Sequence, residues 1–182
     1  MTRQKMLIIG KVWKFMKKFI KIIVFILGLS LTTTACSTKK DNEEVKITLQ
    51  FDICDLTDEE FKSIGTKGIE NATKDDFKNI EFKLDVKHSA EISNRKITVP
   101  SIKGIIKSKY EDRYWFGKGY SQDNIGESFA EYGEDIIFYS AGLEEEEIKE
   151  MFKSSEIKIS WTTDAGKREE EIFHLGDYIQ FR

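Results

Sequence analysis

The sequence predicts a mainly β protein: an antiparallel two-layer sandwich with one or two short helices, behind an N-terminal signal helix. Three observations carry this. "VKITLQFDI" (45–53) and "IEFKLDVKH" (80–88) alternate apolar and polar residues with period two, the mark of a strand with one buried face. Two more alternating runs flank "TDAG" (163–166), as the arms of a hairpin do. Helical spacing of apolar residues is confined to short stretches, so helices decorate the sheets rather than build the fold.

The chain opens with a segment of different character. Lys17, Lys18 and Lys21 form a positive tip, Ile20 to Leu31 is almost wholly apolar, and Thr32, Thr33, Thr34 and Ala35 are small. This is the layout of an export signal. Its apolar core, roughly ten residues, falls short of the ~20 needed to span a bilayer. Cys36 follows at once, then the polar "STKKDNEE". Residues 16–36 resemble the signal of bacterial lipoproteins. The resemblance implies cleavage after Ala35, a diacylglycerol on the Cys36 thiol, and lipid anchoring on the extracytoplasmic face of the cell membrane. The polar stretch 37–44 then serves as tether. An uncleaved N-terminal anchor and a plain secreted chain are the other readings of the same segment. Met16 is a better start for such a signal than Met1, so residues 1–15 are set apart from the fold.

Residues 1–36 hold seven of the 29 basic residues and none of the 32 acidic ones, so 37–182 carry 22 basic and 32 acidic residues, a net charge of −10. That balance argues against a nucleic-acid partner, which needs a basic surface. The 146 residues from 37 to 182 suit one domain, contain a single proline (Pro100) and no Gly/Ser linker. With Cys36 acylated, Cys54 has no partner for a disulfide. It reads as a small buried hydrophobe at the end of the first strand.

After that strand, "DLTDEEFKS" gives a short helix over 58–63, capped by Thr57 or Asp55 and stopped at Gly65. "IEFKLDVKH" turns Ile80, Phe82, Leu84 and Val86 inward. "RKITV" is a strand to Val99, Pro100 makes a break, and a second strand is expected over Ile102–Tyr110. "RYWFGKGY" (113–120) reads as a strand, and "EDIIFYS" as a short buried one. "GLEEEEIKEMF" is a helix with Leu143, Ile148, Met151 and Phe152 on one side, and Glu144–Glu147 in the first turn, where the helix dipole favours negative charge. In the closing hairpin Ile157, Ile159 and Trp161 point inward. Gly176-Asp177 bends the chain into a last strand, Tyr178–Phe181. Seven or eight strands in this order look like the Ig-like sandwiches of bacterial surface proteins, a resemblance of architecture that fixes no function.

Motifs for chemistry are sparse. His88 and His174 stand without a G-x-S-x-G nucleophile elbow, and with one cysteine they make no zinc spacing. The acidic stretches 55–60 and 72–77 lack the alternating ligands and glycine of a calcium loop. Lys103, Lys107 and Lys109 have no glycine-rich phosphate cradle beside them. No cofactor and no metal are expected. The candidate binding surface is Arg113, Tyr114, Trp115, Phe116 and Tyr120. These alternate along one strand, so some rings must face away from the core, with Tyr114 and Phe116 expected on the side opposite Trp115. The sequence therefore reads as a membrane-anchored, non-enzymatic binding or accessory module for a protein or envelope component. The alternative is a small hydrolase using Asp112, Asp123 and Glu127 near the same aromatic stretch.

Overall fold

The computed structural model describes residues 45–66 and 68–182, all within the unit Glu43–Arg182. The expectations for the signal segment, Ala35, Cys36 and the tether lie outside the described residues. The described residues form eight strands: β1 Val45–Asp55, β2 Phe77–His88, β3 Ser93–Thr98, β4 Tyr114–Gln122, β5 Phe129–Tyr139, β6 Glu156–Thr162, β7 Arg168–His174 and β8 Ile179–Phe181. Three helices interleave with them: α1 Asp58–Ile64, α2 Ile102–Lys109 and α3 Glu145–Phe152. The strands form a five-stranded sheet, in order β4-β5-β2-β1-β8, and a three-stranded sheet, β3-β6-β7.

The period-two pattern is realised as the sequence implies. Phe51 pairs with Phe82, Ile53 with Ile80, and Leu49 with Leu84 across β1 and β2. Ile80 pairs in turn with Ile136 on β5. Those side chains, with Ile157, Ile159 and Trp161 of β6, build one core between the two sheets. Burying each such aliphatic or aromatic side chain contributes roughly 1.5–3 kcal/mol. Helix α3 adds Ile148, Met151 and Phe152. The Phe152 ring meets Phe51 edge-on with centroids 5.0 Å apart. Glu144 and Glu147 close its N-terminus as a capping box, with Glu147 Oε2 accepting the Glu144 N–H at 3.0 Å. At α1 Thr57 is the cap, and Glu60 reaches back to the Thr57 N–H at 2.8 Å.

Two expectations are corrected. The segment expected as a strand over Ile102–Tyr110 is helix α2. Ser101 Oγ accepts the Gly104 N–H at 3.0 Å, and Ile102, Ile105 and Ile106 fall on one helical side, two of them fully buried. The short helices among the described residues thus number three, where one or two were expected. The last strand, β8, runs parallel to β1, with Phe51 opposite Ile179 and Ile53 opposite Phe181; every other pairing is antiparallel. A long return through α3, the β6–β7 hairpin and a 3₁₀ turn at Leu175–Tyr178 makes the parallel approach feasible, since a tight turn could not.

The larger sheet has a second, outer face. At one end α1 covers it through a satellite cluster of Leu56, Phe77 and Ile137, flanked by Phe61, Ile64 and Trp115. At the other end Arg95 of β3 ties the smaller sheet to the β4–β5 loop. Its guanidinium pairs with Asp123 Oδ1 at 2.6 Å and donates to the Glu127 carbonyl at 2.9 Å. His88 Nε2 accepts from Arg95 at 2.8 Å while Nδ1 lies 2.7 Å from the Ser89 carbonyl, which fits a neutral ring protonated on Nδ1.

Candidate functional site

Between those two ends the outer face stays open. The register stacks its side chains in rows across the sheet. One row runs Lys118, Asp135, Glu81, Asp52; the next runs Tyr120, Gly133, Lys83, Gln50. All of these but Asp52 line a groove of about 480 Å³. Its walls are charged and partly paired: Lys118 lies 3.3 Å from Asp135, and Lys83 lies 3.2 Å from Asp85. Asp52, although almost fully buried, accepts from Gln50 at 2.7 Å and meets Arg182 at 3.1 Å.

Tyr120 shapes this groove. It pairs with Gly133, and its ring lies over that glycine while 56% of the residue remains exposed. A ring laid on a cross-strand glycine fills the space the missing side chain leaves. Phe116, on the same face, is 57% exposed.

A second, smaller cleft of about 390 Å³ lies where the other side of β4 meets Val99, Pro100 and Ser101. Phe82 on β2, Gly119, Tyr120 and Ser121 on β4, and Tyr132, Gly133 and Glu134 on β5 complete its lining. Glu134 lies near the backbone N–H groups of Ile102 and Lys103 at the start of α2. Burial pushes its carboxyl above the ordinary range, against the two donors that lower it. Tyr132 donates to Asp123 Oδ2 at 2.8 Å. Burial first, then that bond, raise the phenol well above its usual value.

The five residues of the candidate surface separate into three settings. Arg113 is structural: its Nη1 donates to the carbonyls of Tyr139 (3.0 Å) and Ala141 (2.9 Å), with the guanidinium over Tyr110 and Tyr139. Tyr114 is half-buried on the inner face beneath Lys103, whose Nζ stands 4.6 Å from the ring centroid. Trp115 packs edge-on against Phe77 at 5.5 Å, and its indole donates to the Gly65 carbonyl at 2.9 Å. Only Phe116 and Tyr120 project into solvent. The expected parity, Tyr114 with Phe116 against Trp115, is corrected. The register shifts between Tyr114 and Phe116, a β-bulge that puts Trp115 and Phe116 on one side.

Of the three carboxylates of the hydrolase alternative, Asp123 is held by Arg95 and Tyr132, and Glu127 accepts from Gln122 and Asn124. Asp112 is exposed on the turn Glu111–Arg113. His174 is exposed on β7, 3.5 Å from Glu156. Cys54 is half-buried on the outer face, not fully buried as expected, because β1 turns its even-numbered residues away from the core. Burial, then Glu81 and Asp52, raise its thiol, the reverse of what a reactive thiolate needs. Among the described residues no group of three His, Cys, Asp or Glu side chains could hold a metal ion. No helix among them is long and apolar enough to cross a membrane.

Gly133, Glu134 and Arg95 were not singled out by the sequence reading. "AEYGED" did contain a usable signal: a glycine inside a strand often marks a close approach by another group. Comparisons of the chain with protein families, with curated proteins and with solved structures found no match.

Proposed function

We propose that this chain is a lipid-anchored extracytoplasmic module that docks a protein or envelope component on the open face around Tyr120. The single observation that carries the docking reading is the pair of exposed rings, Phe116 and Tyr120, beside a groove on an otherwise charged sheet face. Exposed aromatics next to ion pairs are the usual composition of a recognition surface. The anchor rests on the lipoprotein-like segment 16–36, and the Ig-like resemblance to bacterial surface proteins agrees with that address.

A photo-reactive residue at Gln122, on the Tyr120 face, tests the docking. It should give discrete adducts on intact cells that Tyr120→Ala abolishes, while the same group at Glu170 on β7 gives none. Equal labelling from both positions removes the reading. The anchor is tested separately: Cys36→Ala should release the protein from the membrane fraction, and unchanged retention and processing would remove the lipid.

A further inference from the structure

The end of the domain where the chain enters β1 carries an unusual arrangement of charge. Val45 pairs with His88, and Lys87 with Phe129, so the start of β1, the end of β2 and the β4–β5 loop (123–128) lie side by side. The His88 N–H donates to the Ser128 carbonyl at 2.9 Å and fixes the base of the loop there. Lys46 and Lys87 are direct cross-strand partners on the outer face. Both are exposed, and among the described residues neither has a carboxylate partner. Like charges set directly opposite each other are destabilising, and residues 37–182, with a net charge of −10, have carboxylates to spare. The loop beside these lysines carries Ile125, which is fully exposed. A lone exposed isoleucine is ordinary on a surface, but this one stands on a braced loop. Arg95 holds Asp123 and the carbonyls of Asn124 and Glu127, and Glu127 accepts from the side chains of Gln122 and Asn124. Both loop carboxylates are thus engaged internally, which leaves an apolar side chain beside two free ammonium groups.

We infer that this end of the domain contacts an anionic lipid surface, with Ile125 in the headgroup layer and Lys46 and Lys87 on lipid phosphates. Apolar side chains with basic neighbours are what hold peripheral segments to such surfaces. The inference rests on the reading of Cys36 as lipidated. Val45 follows Cys36 by nine residues, a reach of at most about 32 Å at ~3.6 Å per residue. The eleven residues of β1 set the opposite end of the domain about 36 Å farther along the strand. An anchored chain therefore brings the Lys46–Lys87 end to the lipid first. Glu91 and Asp164, also at this end, lie on the turns leading into β3 and β7, which places the contact on the side of the larger sheet. Gln50, in the row of Tyr120, stands four residues along β1 from Lys46, about 13 Å away, so the docking face stays clear of the surface.

The test uses the full-length protein, purified from membranes in detergent and returned to vesicles of phosphatidylcholine and phosphatidylglycerol. A photo-reactive residue replaces Asn124, exposed beside Ile125, or Asp75, exposed on the turn before β2 at the opposite end. Lipid adducts are expected from position 124 and none from position 75. The yield at 124 should fall about fivefold, the equivalent of ~1 kcal/mol, when phosphatidylcholine replaces phosphatidylglycerol, in Lys87→Glu, and in Ile125→Ser. Lys87→Glu sets opposite charges across the two strands and Ile125 lies outside the core, so neither variant should lower the melting midpoint. Equal labelling from the two positions, or a yield at 124 that ignores the anionic lipid or either substitution, would overturn the inference. Retention on the vesicles reads the anchor separately. Retained protein with a silent position 124 leaves the anchor and removes the contact. A Cys36→Ala chain retained as fully as the wild type removes the acyl anchor and leaves the labelling pattern to judge the contact.

Discussion

The ring of Tyr120 occupies the volume that a side chain on Gly133 would need: a Cβ built on that glycine would stand 2.8 Å from Tyr120 Cζ. The two residues are direct cross-strand partners, so one cannot change without moving the other. Gly133→Val should cost about 1–3 kcal/mol in chemical denaturation, the usual price of overpacking. Tyr120→Ala made in the same chain should recover part of it. A double-mutant cycle with no coupling between the two sites would show that the ring does not rest where described.

Arg95 should be among the most sensitive charged positions. Its side chain is almost buried, with four hydrogen-bonding partners drawn from the β2 end and the β4–β5 loop. Arg95→Ala leaves Asp123 without its cation and should cost about 3 kcal/mol, the lower end for breaking a buried ion pair because Asp123 keeps some solvent. Lys74→Ala, which removes an exposed pair with Asp58, should leave the urea midpoint nearly unchanged, because solvent screens such a pair. Urea midpoints of the two variants give the comparison, and similar losses would sink the assignment of Arg95 as the stitch between sheets.

Aromatic truncations should divide by setting rather than by size. Trp161→Ala empties a core position and should cost about 3–5 kcal/mol. Its indole N–H is buried with no partner among the described residues. Trp161→Phe discards that group while keeping most of the ring, so it should cost less than about 1.5 kcal/mol. Phe116→Ala, at an exposed position, should stay within about 0.5 kcal/mol. A large loss at Phe116 would show that the ring is covered in the folded protein.

Glu134 predicts a pH dependence with a definite sign. Its carboxyl is held above the ordinary value by burial, so the folded chain keeps the proton to higher pH than the unfolded chain does. The protonated form's contribution is fully present below the unfolded carboxyl value of about 4.3 and is lost as pH rises through the folded value. Glu134→Gln should flatten stability over that window. An unaltered pH profile in the variant would mean that Glu134 titrates normally.

Tyr132 gives the same logic in alkali. Its phenol is raised by burial and by the bond to Asp123, so above pH ~10, where the unfolded phenol ionises, stability should fall with rising pH. Tyr132→Phe should remove that part of the slope. Spectrophotometric titration of the wild-type protein, following phenolate absorbance, would detect the late-titrating phenol directly.

The strands whose two faces meet different solvents were legible from residues alone. Val45 to Ile53 and Ile80 to Val86 announce their inner faces because every second side chain is apolar. The hairpin around Asp164–Gly166 was equally legible, since Gly166 takes a positive φ of 75° that its turn requires. Helix α2 was not, because "SIKGIIKSK" carries β-branched isoleucines and an internal glycine, and the cap at Ser101 with the burial of Ile102 and Ile106 outweighs those propensities. The bulge at Trp115 was invisible for a related reason: alternation predicts faces only while the ladder stays in register. The open site inherits that gap. Five residues looked alike in sequence, and one extra residue in the strand decides which two reach solvent.

The parallel pairing of β1 with β8 has a consequence for timing. The first strand of the domain finds one of its neighbours only after all the intervening chain has been made, and the Arg182 N–H then closes on the Ile53 carbonyl at 3.0 Å. A chain in which β8 has not yet been made would therefore expose one side of β1. Such far-separated contacts slow folding. Until β8 is in place β1 carries an open sheet edge, the kind of unpaired surface that exposes a folding intermediate to association with other chains.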